Sequence, residues 1–419
     1  MNRPTDHSDY EAWVPVVIMG SAGLFFWAIR GTTGYGGETG SMLAGLGWGL
    51  LWWMLSRADG RERQRPYGSP WALLAIALGT ACGGLTGYGV YVGWVKGVFY
   101  LDYPHGAQPI HPLWGYLALF LCGLHWGGNM GVFLAWCAPE RPLRGRDWFA
   151  RIASGIAGAV ILLGITKAWP QWFLPFWSEE LYGNPANRTC IRAIHSLWNI
   201  APHIGTLVGF TTYEIFRRDI RAVKVISLMA LGFAVPFAVG GIWHAVGDRT
   251  SIAIDWWKNW EMTIGLGGGA AIGLVFVRFN RPLGGASWAD GVWTRRVFAT
   301  GFALWFCSLA VLEGAYDGLG QIWQYEPHLA GYGLLMLLAA TPWIIRWMKR
   351  NPAATDPYPG EGACLLLLGL IVLCGYAVSL PSSVGELPRM GLILRLVVYT
   401  LCVVAAGWLY FTRIRPRIA

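Results

Sequence analysis

Apolar stretches of roughly 20 residues recur along the whole chain. Each is long enough to cross the hydrocarbon core of a bilayer as a helix. They fall at about 13–30, 37–55, 71–98, 113–136, 148–168, 195–216, 223–245, 259–278, 295–316, 328–346, 362–381 and 391–412. The pattern predicts an all-α, polytopic membrane protein of about twelve transmembrane helices. The third stretch is long enough to tilt, and the sixth is polar at its start.

The connections alternate in character. Arginine-rich clusters begin at Arg57, Arg141, Arg217, Arg278, Arg346 and Arg413, each after an even-numbered stretch or at its end. Most of the 32 Lys and Arg lie on this side. Positive charge collects in cytoplasmic loops, so both termini are expected in the cytoplasm of a multi-pass cell-membrane protein. Residues 1–12 read as a short cytoplasmic tail. Residues 13–283 read as a core bundle of about eight spans, and 284–419 as a second bundle of about four spans with a basic C-terminus. The opposite face is aromatic and acidic, with Asp102, His105, Glu179, Glu180 and the run Trp256-Trp257-Lys258-Asn259-Trp260-Glu261.

Several even-numbered stretches look alike. The second reads GYGGETGSMLAGLGWGLLWW, the fourth CGLHWGGNMGVFLAW and the eighth IGLGGGAAIGLVFVRF, with a weaker match in the sixth. Gly123–Leu143 and Gly265–Leu283 both end in Arg-Pro-Leu. Glycines three or four apart share a helix face and let backbones approach closely. This pattern predicts a repeated two-helix hairpin that arose by duplication, all copies running in one direction about an axis along the membrane normal. Convergence on glycine, which is common in membrane helices, is the alternative.

Composition agrees with the membrane assignment. Charged residues make up 13% of the chain, against about 25% in soluble domains, and mean hydropathy is +0.42. The net charge of +9 would suit nucleic acid in a soluble protein. Here the basic residues flank spans, so topology accounts for them and no nucleic-acid partner is expected. The eight Cys form no CxxC and mostly lie in apolar stretches, so neither a disulfide framework nor a metal site is expected. No cofactor motif is present. GYGGETG lacks the Lys-Ser/Thr ending of a phosphate-binding loop.

Polar residues at membrane depth are costly and mark candidate sites. Arg30 and Glu38 flank a glycine-rich turn between the first two spans; they read as a re-entrant anion or substrate site, or as a local ion pair closing a turn. Trp257, Lys258, Trp260 and Glu261 form a second group, whose spacing puts Trp257 with Glu261 on one helix face. That group suits a polar ring such as a sugar, or a plain interfacial anchor. His125, His203, His244 and Asp248 are candidates for a proton relay, or for a polar network between helices. Glu313 and Asp317 lie one turn apart at an outer helix end, which suits proton coupling or a solvated end.

Three functions fit. The first is a transporter for a small polar solute, a sugar or an organic acid, with protons as the coupling ion. The second is a polytopic enzyme of the glycosyl- or acyltransferase type, acting at the outer face on lipid-linked or glycan material. The third is a structural subunit with partners in a membrane complex. The lipid bilayer is a partner in all three.

Overall fold

A computed structural model describes residues 11–30, 37–57, 65–141, 143–282, 361–379 and 389–417. The ninth and tenth expected spans, and with them Glu313 and Asp317, lie outside the described residues.

The helices form where apolar runs meet strong local signals. The chain opens with α1 (Trp13–Arg30) and α2 (Gly37–Arg57). Ser69 caps α3 (Pro70–Gly84) by accepting from the Trp71 amide, with proline in the first turn where its missing N–H costs nothing. Beyond Gly83 and Gly84 the helix stops. A short helix α4 (Gly89–Val95) follows, bent 69° from α3. Strands β1 (Val98–Asp102) and β2 (His105–Pro109) then pair antiparallel. The single long third span expected from the sequence is therefore a broken helix followed by a β-hairpin.

The remaining long helices are α5 (Leu113–Trp136), α6 (Gly145–Ala168), α8 (Arg188–Arg217), α9 (Ile220–Gly240) and α11 (Trp256–Phe279), with short α7 (Glu179–Gly183) and α10 (Ile242–Gly247) between them. Arg218, in the left-handed region at φ 58, ends α8, and the Asp219 carboxylate caps α9 through the Ala222 amide. Asp255 caps α11 in the same way through the Lys258 amide. The sixth expected span, α8, starts several residues before its apolar part. Near the C-terminus lie α12 (Glu361–Ser379) and α13 (Arg389–Leu409).

Among the described residues six helices are long and apolar enough to cross a membrane, seven if α3 and α4 count as one span. Exposed apolar side chains agree with this. Phe149, Ile156 and Val160 line the open face of α6, and Leu401, Val404 and Trp408 that of α13. A contiguous apolar surface of this kind is unusual on a soluble monomer and natural against lipid. The protein is a multi-pass helical membrane protein.

Six helices close a ring of contacts in the order α1, α2, α3, α5, α9, α11 and back to α1. Glycine seams set how close they come. A Cβ on Gly127 of α5 would lie 2.0 Å from the Met229 carbonyl of α9, and one on Gly269 of α11 would lie 2.1 Å from the Met19 carbonyl of α1. Helices α6 and α8 form a separate pair beside α5, with Gly158 and Gly205 backbone to backbone. Helices α12 and α13 lie against α1, where Phe25 meets Tyr376 and Tyr399.

Aromatic rings fill the middle of the ring of helices. Trp27 of α1 meets Trp126 of α5 at 4.8 Å, and Trp48 of α2 meets Phe233 of α9 at 5.6 Å. These pairs reach between helices that are not ring neighbours, and all four side chains are fully buried. Edge-to-face rings of this kind pack tightly.

Candidate functional site at the mouth of the helix ring

Arg30 is the last residue of α1 and is buried. Its guanidinium lies over Trp27 at 4.8 Å, over Trp126 at 4.9 Å and over Tyr88 at 5.5 Å. Such cation–π contacts hold a cation away from water. It donates to Ser41 Oγ at 3.4 Å and to the Tyr88 hydroxyl. Tyr88 is presented by the break between α3 and α4. A buried arginine is strongly held only when its donors are met. Here the Nε has no partner.

The first turn of α11 closes the other side. Lys258 Nζ donates to Glu261 Oε2 at 2.5 Å and to the Ala28 carbonyl of α1 at 2.9 Å. Trp257 Nε1 donates to Glu261 Oε1 at 3.0 Å, and Trp260 Nε1 to the Phe237 carbonyl at 2.9 Å. Trp257 stacks on Tyr88 at 6.4 Å, which joins this group to Arg30. Glu261 is near enough for its charge to act on Arg30. His244 of α10 packs edge-on against Trp257 and Trp260, at 5.2 and 4.9 Å.

A second polar group follows on the same break. Thr86 Oγ1 is 2.9 Å from His125 Nε2, and the His125 ring stacks on that of His203 at 5.4 Å. Asn129, one turn further along α5, is also buried. The helix break thus joins the histidine pair to the Arg30 cluster. Asp248, one turn after His244, is in an ion pair with Lys96 at 2.7 Å.

Compared with known proteins, the chain matches no family model, no curated protein and no solved structure. Its chemistry rests on its own geometry.

Of the residues singled out in the sequence, Arg30, Trp257, Lys258, Trp260, Glu261 and His244 come together, and His125 pairs with His203. Glu38 lies in the first turn of α2. Its side chain, like Glu313 and Asp317, is outside the described residues. Tyr88, Thr86, Ser41, Trp27 and Trp126 complete the site without having stood out in the sequence. Among the described residues no cluster of three His, Cys, Asp or Glu could hold a metal.

Two further charged contacts lie away from this site. Arg151 of α6 pairs with Glu214 of α8 at 2.6 Å, both side chains fully buried, with Trp136 and Trp148 over the guanidinium. On the β-hairpin, Arg188 grips Asp102 at 2.9 Å. Hydrogen bonding from Arg188 holds the Asp102 carboxyl below the usual range.

Proposed function

We propose that the protein is an integral membrane transporter for a small polar solute, a sugar or an organic acid, coupled to protons. One observation carries this reading: the break between α3 and α4 delivers Tyr88 to Arg30 and Thr86 to His125. With 15 residues, α3 advances about 22 Å into a core of about 30 Å. Irregular backbone at such depth is tolerated where it lines a site or a cavity, and transporters use broken helices in this way. His125 and His203 supply exchangeable protons beside the site.

The same reading takes the chain as about twelve spans with both termini cytoplasmic. It also takes the ring as duplicated hairpins. The hairpins are α1–α2, α3–α5 and α9–α11. In each, the helix running inward packs on the outward-running helix of the next: α2 on α3, α5 on α9, α11 on α1. Gly123, Gly127 and Gly131 dock on α9 in the same order as Gly265, Gly269 and Gly273 dock on α1. Such cyclic packing supports parallel repeats about an axis along the membrane normal.

The test is uptake by proteoliposomes under an imposed proton gradient. The expected result is gradient-driven uptake of one class of solute, abolished by Glu261→Gln and uncoupled from protons by His125→Gln. Gradient-independent behaviour with no solute moved would defeat the proposal. A second reading is an outer-face transferase acting on lipid-linked or glycan substrates. The buried rings of Trp27, Trp48, Trp126 and Phe233 favour it, because they occupy the middle of the helix ring. Turnover of a lipid-linked acceptor without uptake would select that reading.

A further inference from the structure

The Arg30 cluster has a chemical bias in its unmet hydrogen bonds. Arg30 Nε, Trp27 Nε1, Trp126 Nε1 and Asn129 Nδ2 are buried without a partner. All four are donors with no acceptor capacity. Arg30 lies against both Trp27 and Trp126, and Asn129 lies one turn beyond Trp126 on α5. His125 Nδ1 and His244 Nε2 are also unpartnered, and either can donate or accept. No unpartnered acceptor-only atom belongs to this cluster among the described residues. A buried N–H without a partner keeps its desolvation penalty uncompensated, so several together are costly unless the site takes an acceptor.

Charge points the same way. Among the described residues the cluster holds Arg30 and Lys258 against Glu261. Nearby Lys96 is paired with Asp248, and Asp255 with Arg395. One positive charge is left over. Arg30 donates once from each terminal nitrogen, to Ser41 and to Tyr88, while its Nε–H and the two indole N–H groups are unmet.

The geometry points to a binding site for a single carboxylate: a monoanionic organic acid whose oxygens accept from Arg30 Nε and the indole N–H groups of Trp27 and Trp126. This rests on the proposed solute site and selects an organic acid over a neutral sugar. Among the described residues, one carboxylate matches the one excess charge and the flat donor edge of a guanidinium. A dianionic phosphate or a dicarboxylate would carry in a second negative charge that no free cation among the described residues of the cluster balances.

The experiment is a thermal shift titration of the full-length purified protein with acetate, lactate and benzoate, beside citrate, phosphate and glucose. Trp27→Phe and Trp126→Phe keep an aromatic ring and remove one donor each, so they test the site even if Arg30→Gln fails to fold. The expected result is saturable stabilisation by at least one monocarboxylate, with half-saturation raised about tenfold in each Trp variant. The inference is overturned if no monocarboxylate stabilises the protein, if the Trp variants titrate like wild type, or if glucose, phosphate or citrate binds equally well. Carboxylate binding without uptake would defeat the transport proposal and leave this site standing. Uptake of a neutral solute without carboxylate binding would do the reverse.

Discussion

Lys258 and Glu261 form a buried ion pair, Nζ to Oε2 at 2.5 Å, one turn apart on α11. Lys258 also binds the Ala28 carbonyl, so the pair ties the start of α11 to the end of α1 beside Arg30. Two desolvated charges hold each other there, and neither is tolerated alone. Glu261→Gln is therefore expected to destabilise the protein by about 3 kcal/mol or more, and Lys258→Met by a similar amount. The double variant should recover much of the loss. A double-mutant cycle on unfolding in detergent measures this, and strict additivity would contradict it.

The glycine seams make a prediction with an internal control. Gly127→Ala and Gly269→Ala each place a methyl group against a carbonyl oxygen of the facing helix. Each should cost about 1–3 kcal/mol. Gly164 of α6 has nothing within 4 Å of its Cβ position, so Gly164→Ala should stay within about 0.5 kcal/mol of wild type. Equal melting temperatures for all three variants would show that the seams do not set the packing.

The β-hairpin should respond to acid. The Asp102 carboxyl lies below its ordinary value, first because Arg188 hydrogen-bonds it and then through the charge of Arg188. A depressed folded value means that the contribution is present above the unfolded value, about 3.9, and is lost as pH falls through the folded one. The protection factors of the β1 and β2 amides, with the intrinsic pH dependence of exchange divided out, should fall on acidification from pH 5 in wild type. Arg188→Gln should remove that dependence. The same acid response in the variant would assign it to another group.

Orientation is open to chemical labelling. His105 on β2 and Gly145 at the start of α6 are both exposed. With the basic side cytoplasmic, His105→Cys should react with an impermeant maleimide added outside intact cells, and Gly145→Cys only after permeabilisation. The opposite pattern would invert the topology.

Much of the fold was legible because it is written in local periodicity. The limits of α1 and α5 coincide with their apolar runs. The contacts of Glu261 with Trp257 and Lys258 follow from i,i+4 and i,i+3 spacing on one helix. The break after Gly84 was hidden because Leu85, Gly87, Tyr88 and the following valines keep the stretch apolar, and hydropathy does not register a bend. The first strand disappeared into the same run. The partners of Arg30 were illegible for a different reason: Tyr88 lies 58 residues away, and its ring, like those of Trp27 and Trp126, looks like any interfacial aromatic. Arg151 and Glu214 each fall near a span end, where a lone charge reads as topology, and only tertiary packing pairs them.

Transport requires the site at the α3–α4 break to open to both sides of the membrane. Accessibility of Thr86→Cys in a cysteine-free background tests it most directly. With the protein cycling in oriented vesicles, transport predicts labelling at position 86 by an impermeant maleimide from the outer side and, separately, from the cytoplasmic side. Labelling from the outer side alone, under the same cycling conditions, would contradict the account and leave a sealed outer-face site.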